Sequence, residues 1–298
     1  MQNTASSEPA APALKRVTLI PELRRMLARW RLAGERIGFV PTMGNLHDGH
    51  MELVRRARHR CERVAVSIFV NPMQFGPDED FASYPRTLDE DQARLEQEGV
   101  DLLFAPQAEI LYPRGLAKTT RVEVPEPSRE LCGDFRPGHF TGVATIVAKL
   151  FNLVQPDVAI FGEKDYQQLV VIRQMTRDLC WPVEIVGVPT VREPDGLAMS
   201  SRNRYLSAAE RLVAPLLYRS LCELADALSQ REKTVAELEA TATTSLKACG
   251  FQPEYVSVRN PGTLRPLTPA DRDAVVLAAV RLGRARLIDN VRFRVPGI

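Results

Sequence analysis

His47 and His50 stand three residues apart in the stretch PTMGNLHDGH, and a chain with four histidines places two of them there. The stretch follows the apolar run RIGFV, so it reads as the turn between a strand and a helix, with the histidines where the helix opens. The first N–H groups of a helix lack internal partners and the helix dipole favours negative charge at that end, which makes this turn an anion site by backbone geometry. Gly44 and Gly49 let a flat or phosphorylated ligand approach the backbone closely. At this spacing the two imidazoles project to one side and can donate hydrogen bonds to phosphate oxygens. A metal pair is an alternative, but it needs further ligands, and His59 and His139 offer no matching pattern. A purely structural capping role is the other.

Further clusters carry groups of the same kind. In IFGEKDYQQ, again a strand running into a helix, Lys164 can reach a phosphate as a mobile point charge, and Asp165 can hold a ribose hydroxyl or orient the lysine; a solvated helix start is the plain alternative. In MSSRN, Ser200, Ser201 and Arg202 make a set of hydroxyls and a guanidinium fork that can grip phosphate, or a polar loop whose serines cap the next helix. The long loop FVNPMQFGPDEDFASYPRTLDEDQ carries the neutral groups Asn71 and Gln74, suited to hydroxyl and amide recognition, together with Tyr84. Its acidic run Asp89, Glu90 and Asp91 either holds Mg²⁺ or decorates a helix start, and the helix start is the reading preferred. In CGDFRPGHFTGV, Arg136 and His139 are either another anion contact or support for the site.

These residues need a frame. Strand-length apolar runs RIGFV, RVAVSIFV, VDLLFA, TRVEV, DVAIFG and VEIVGV alternate with helix-period segments near residues 17–33, 49–61, 88–97, 142–153 and 166–179, the pattern of an α/β fold with a Rossmann-like, mostly parallel sheet. Right-handed crossovers would align the loop-bearing strand ends along one edge, where the chemistry is expected. Beyond residue 191 the texture changes to helical segments at 208–229 and 235–249, then the strand-like runs EYVSVR, DAVVLAAVRL and ARLIDNVRF, the last two joined at Gly283 and Arg284 as a hairpin. The expected organisation is a flexible tail over 1–14, a Rossmann-like domain over 15–190, and a smaller α+β C-terminal domain over 191–298.

Composition narrows the function classes. The 298 residues suffice for one large core or two, with 45% hydrophobic and 26% charged residues, as in soluble globular proteins. A formal net charge of +2, from 39 basic and 37 acidic residues, gives no overall field for nucleic acid or an anionic membrane, so neither is an expected partner. Five cysteines without a CxxC pair argue against a disulfide framework or zinc site and suit a reducing cytoplasm. The N-terminal MQNTASSEPAAPAL lacks the pattern of a signal peptide, and no apolar run is long enough to span a bilayer.

Taken in order, IGFVPTMGNLHDGH, FVNPMQF, YPRT, CGDFRPGHFTGV, FGEKDYQQ and MSSRNRYLS resemble the pantoate–β-alanine ligases (pantothenate synthetases), which belong to the nucleotidylyltransferase superfamily with its HxGH motif. The resemblance covers nearly the whole chain after the tail. Asn45, Asp48 and Glu90 are small departures from the family pattern. What the resemblance implies is an ATP-dependent ligation: the carboxylate of (R)-pantoate attacks the α-phosphorus of ATP to give pantoyl adenylate and pyrophosphate, and the amine of β-alanine then displaces AMP to give pantothenate. By the same resemblance, ATP is bound by Met43, Gly44, Asn45, Leu46, His47, Asp48, Gly49 and His50, by Gly162, Glu163, Lys164 and Asp165, by Val191, and by Met199, Ser200, Ser201 and Arg202. His50, His47, Lys164 and Arg202 are its catalytic set, with His50 the proton donor. Gln74 and Gln168 bind pantoate, and Gln74 also β-alanine. Mg²⁺ accompanying ATP, a cytoplasmic homodimer and a C-terminal lid are further implications; the resemblance leaves the metal ligands unassigned.

Two rival readings remain at the level of sequence. A nucleotidyltransferase that moves a nucleotidyl group onto a phosphorylated acceptor should add basic residues at the acceptor site, whereas Gln74 and Gln168 are neutral. An RNA-binding derivative of a synthetase core would want a basic face, against which the balanced charge speaks.

Overall fold

The computed structural model describes residues 14–77, 79–230 and 233–295. The tail expected over residues 1–14 lies outside them apart from Leu14. The first part of the chain runs β1 (Lys15–Val17), α1 (Ile20–Leu32), β2 (Ile37–Thr42), α2 (Asp48–Arg58), β3 (Arg63–Ile68), α3 (Leu88–Gln97), β4 (Leu102–Phe104), α4 (Ala108–Leu111), α5 (Cys132–Phe135), α6 (His139–Val154), β5 (Val158–Gly162), α7 (Tyr166–Asp178) and β6 (Glu184–Val188). The six strands form one sheet in the order β1-β4-β3-β2-β5-β6, with every pair parallel. Side chains alternate through it with period two. Phe39, Ala65, Leu102 and Ala159 face a core with α1, α6 and α7. Val40, Val64, Leu103 and Val158 face one with α2 and α3.

The order reverses at β2, which has β3 on one side and β5 on the other. A parallel sheet opens a crevice at the carboxyl ends of its strands at such a switch point, and the loops after β2 and β5 both leave there.

The remainder runs α8 (Ala208–Val213), α9 (Leu216–Ser229), α10 (Val235–Ala248), β7 (Gln252–Arg259), β8 (Asp273–Leu282) and β9 (Ala285–Arg294). The last three strands form an antiparallel sheet, with the β8–β9 hairpin turning at Gly283 and Arg284 as expected. One face packs Val256, Val276 and Val280 against Leu221, Leu224, Leu238 and Leu246 of α9 and α10. From the other face Val275, Leu277 and the half-buried Tyr255 meet Leu131 before α5 and Tyr166 and Val170 of α7. Among the described residues no helix is long and apolar enough to cross a membrane.

Three expected elements differ. TRVEV is not a strand: the sheet edge beside β4 is taken by Lys15–Val17, and Val122 N–H instead donates to Thr145 Oγ1 at 2.9 Å while Val124 is buried as irregular chain. The helix expected from residue 17 starts at Ile20, with Pro21 in its first turn, because β1 claims Val17. The helix expected over 208–229 is broken into α8 and α9 before Pro215, which cannot continue the backbone hydrogen-bond ladder of the preceding turn.

Candidate active site

A cleft of about 1420 Å³, counting space open to solvent, lies over the switch point. Its wall includes Met43, His47, Gly49, His50, Asn71, Gln74, Tyr84, Gly162, Lys164, Asp165, Gln168, Val191, Met199, Ser200, Ser201 and Arg202. Segments far apart in sequence thus converge on one space.

The loop from β2 to α2 is held from beneath by Asp91, which stands in the first turn of α3 but does more than decorate it. Its carboxylate is 2% exposed and accepts the N–H of Asn45 at 2.8 Å, the N–H of Leu46 at 2.7 Å and the Thr87 hydroxyl at 3.2 Å. Those bonds fix a backbone in which Asn45 has φ +51, a conformation asparagine tolerates better than most residues. Asp89 turns outward to pair with Arg16 at 3.1 Å. The acidic run is therefore divided between a loop anchor and a surface ion pair.

At the start of α2, His47 N–H donates to His50 Nδ1 at 3.2 Å. That acceptor role leaves the proton of the neutral His50 ring on Nε2. The two rings lie 4.1 Å apart between centroids. Burial and the nearby Lys164 cation push His47 down to about 4. Burial, His47 and Lys164 hold His50 well below the ordinary histidine range. Both are neutral hydrogen-bonding groups near pH 7, and His47 Nδ1 is buried with no partner among the described residues. Gly49 is required by close approach: a Cβ there would come within 2.9 Å of the His47 ring. Its smallness makes room for histidine as well as for a ligand.

Not every residue of this stretch faces the cleft. Leu46 is buried in the core under α2, and Asp48 pairs outward with Arg94 at 2.8 Å. Gly44 and Asn45 form the back of the loop, where Asn45 C=O accepts the Ser201 hydroxyl at 3.1 Å. That bond ties the MSSRN segment to the histidine loop. Arg202 is bidentate to Asp80, at 3.1 and 2.8 Å, and sits over the Tyr84 ring.

After β5, a tight turn presents Lys164 and Asp165, with Nζ 3.8 Å from the carboxylate. The Glu163 side chain instead extends toward Gly187 of β6. The turn is pinned by Asn290 of β9, whose side-chain N–H donates to the carbonyls of Glu163 at 2.9 Å and Lys164 at 3.1 Å. Neighbouring Asp289 is held by Arg192. Sequence reasoning missed this brace; the one signal is an Asp-Asn pair in the middle of the strand-like run ARLIDNVRF.

Arg136 and His139 support the neutral side of the cleft. His139 Nδ1 donates to Gln74 C=O at 2.8 Å, so Nε2 is left to accept from Arg136 at 2.9 Å. Arg136 is also bidentate to Glu79. Burial and the Arg136 charge push His139 down to about 3, which keeps it neutral in this relay.

A family model described as pantoate-beta-alanine ligase matches residues 15–292 of the chain. The chain belongs to the pantoate–β-alanine ligase family. A pantothenate synthetase of Pseudomonas putida strain W619 is 57% identical over 275 residues, covering 92% of this chain and 96% of that protein. One of Alkalilimnicola ehrlichii is 55% identical, covering 93% and 97%. The crystal structure of pantothenate synthetase from Thermus thermophilus superposes with a TM-score of 0.86 at 51% identity, covering 93% of this chain and 98% of that one. A pantoate-beta-alanine ligase from Francisella tularensis, complexed with beta-gamma ATP and beta-alanine, superposes at 0.78 with 33% identity, covering 94% and 97%.

Proposed function

We propose that this chain condenses (R)-pantoate with β-alanine, driven by cleavage of ATP to AMP and pyrophosphate, through a pantoyl adenylate. The observation that carries this reading is the division of the cleft. Phosphate-seeking donors (His47, His50, Lys164, Ser200, Ser201, Arg202) share one cavity with the neutral amides of Gln74 and Gln168. A phosphorylated acceptor would call for cations where those glutamines stand.

In the first step a pantoate carboxylate oxygen attacks the α-phosphorus and the bond to the pyrophosphate oxygen breaks. Negative charge grows on the α-phosphate oxygens and the leaving group, where preorganised donors are most effective. Lys164 supplies a cation and neutral His50 an Nε2–H. Bound polyphosphate would raise the pKa of both histidines, so a ring neutral in the free protein takes up a proton more readily once ATP arrives. Arg202 must exchange Asp80 for phosphate. In the second step the β-alanine amine attacks the acyl carbon, AMP leaves, and the amine proton is lost to solvent or to a neutral histidine. No covalent enzyme intermediate is needed, because both nucleophiles belong to substrates.

Among the described residues no three His, Cys, Asp or Glu side chains converge as a metal cage. If Mg²⁺ accompanies the nucleotide, Asp165 in the Lys164 turn is the acid of the cleft wall that would hold it, and it would neutralise phosphate charge. Residues 15–190 form the ATP- and pantoate-binding domain in this reading, and residues 191–298 a lid that excludes water from the labile adenylate. A cytoplasmic homodimer completes the proposal. The test is incubation with Mg-ATP, with and without pantoate and β-alanine. Pyrophosphate should require pantoate and the amide should require all three; pyrophosphate release independent of pantoate would refute the reading.

A further inference from the structure

Tyr112 follows α4 and is 4% exposed, lying behind the cleft wall and not in it. Its hydroxyl donates to Asn71 Oδ1 at 2.7 Å. Two backbone groups bond the Asn71 amide in the same sense, beside this shortest of its contacts. Met73 N–H donates to Oδ1 at 3.3 Å, and Nδ2 donates to Gly142 C=O at 3.1 Å. The same Nδ2 reaches Gln74 at 3.0 Å, and a donor there demands the amide oxygen of Gln74. Gln74 is thereby turned so that Nε2 points the other way, with Met43 Sδ at 3.1 Å as its weak protein partner. Gln74 then presents its Nε2 N–H groups beside Met43 on the cleft wall.

We propose that Tyr112 is a positioning residue for the acid substrate: through Asn71 it locks the Gln74 amide with its N–H groups toward the cleft, so that Gln74 selects an oxygen acceptor such as a carboxylate. This rests on the reading of Gln74 as a substrate contact. The ring of Tyr112 is itself clamped by Phe69, at 6.1 Å between centroids, and by Lys149, whose amine lies 5.2 Å from the ring centre while donating to Leu111 C=O. Burial pushes the phenol up, so it stays protonated and a donor across the working pH range. Asn71, at 1% exposure, and Gln74, at 9%, are too buried for water to substitute readily for a lost partner.

The experiment is a double-mutant cycle in steady-state kinetics, with Tyr112→Phe, Gln74→Ala and the two combined. Tyr112→Phe should raise the KM for pantoate roughly fivefold, the worth of one buried neutral hydrogen bond, with the KM for ATP unchanged within about twofold. Gln74→Ala should raise it further, and adding Tyr112→Phe to Gln74→Ala should then change nothing, because the relay has lost its endpoint. Equal effects of Tyr112→Phe on both substrates, no effect on pantoate, or a full effect persisting in the Gln74→Ala background would each overturn the proposal. If Gln74→Ala leaves the pantoate KM unchanged while ligation proceeds, Gln74 is not a substrate contact, and the relay falls with that assignment while the ligase reading stands. Should Tyr112→Phe be unfolded by circular dichroism, Asn71→Asp carries the test. It still accepts from Tyr112 and Met73 but offers Gln74 no donor, so the pantoate KM must rise selectively or the relay is wrong.

Discussion

Replacing Asp91 with alanine should disable the nucleotide side of the cleft from below, without touching a residue of its wall. The carboxylate accepts two backbone N–H groups and a hydroxyl at a site 2% open to solvent. Removing it strands both N–H groups, at about 1–3 kcal/mol each. It also frees the strained backbone at Asn45, held at φ +51. The expected loss is about 2–5 kcal/mol, reduced where the loop opens to reach water. In a protein of this size that corresponds to a fall in melting temperature of about 3–8 °C. Whatever the loop escapes by opening should reappear as a weaker hold on ATP, since His47 and His50 ride on the same turn. Asp91→Asn keeps one acceptor and should fall between the two. The assays are thermal unfolding by circular dichroism and the KM for ATP from pyrophosphate release. An Asp91→Ala protein with wild-type melting and wild-type KM for ATP would refute the reasoning.

Other substitutions probe separate parts of the account. A Cβ at Gly142 would lie 2.4 Å from Met73 O and 2.7 Å from Gln74 Cα, so Gly142→Ala should cost about 1–3 kcal/mol by overpacking and raise the KM for pantoate; denaturant melts and kinetics check it. His139 is held down to about 3 against an ordinary value near 6.5. The unfolded chain thus binds more protons in that interval, and the stability His139 contributes is complete above about pH 6.5 and drains away as pH falls toward 3. His139→Gln should make the acid limb of stability against pH shallower by about one proton; an unchanged slope would contradict the assignment. His50→Ala and Lys164→Ala should each lower pantoate-dependent pyrophosphate formation by about 10²–10³-fold while leaving circular dichroism intact. Gln168→Ala should weaken pantoate more than ATP in the same assay.

The sheet was legible because buried parallel strands are written as continuous apolar runs, and the loops that bear the chemistry follow two of those runs directly. The histidine pair and Lys164 were legible because each follows a strand-like run beside glycine, and the Ser200–Ser201–Arg202 set because two hydroxyls adjoin a guanidinium; each also had a structural alternative, and it is their number in one chain that made a site. What supports them was not legible. Asp91 sits in an acidic run that looks like any helix start, and only the folded loop shows two N–H groups aimed at it. Asn290 acts from a strand that lies more than a hundred residues beyond the turn it braces, a distance no local pattern spans. TRVEV has the alternation of a strand, and lost that state to Lys15–Val17, whose three residues carry a weaker signal but occupy the sheet edge. Propensity proposes a strand, and an open edge decides whether there is one.

The central claim is that a pantoate carboxylate oxygen becomes bonded to the α-phosphorus in this cleft. Pantoate labelled with ¹⁸O in its carboxylate, turned over with Mg-ATP and β-alanine, tests this through the mass of the nucleotide product. The account predicts AMP carrying one ¹⁸O atom, left behind when the amine displaces it from the acyl carbon. Unlabelled AMP, or ADP with the label in inorganic phosphate, would contradict it.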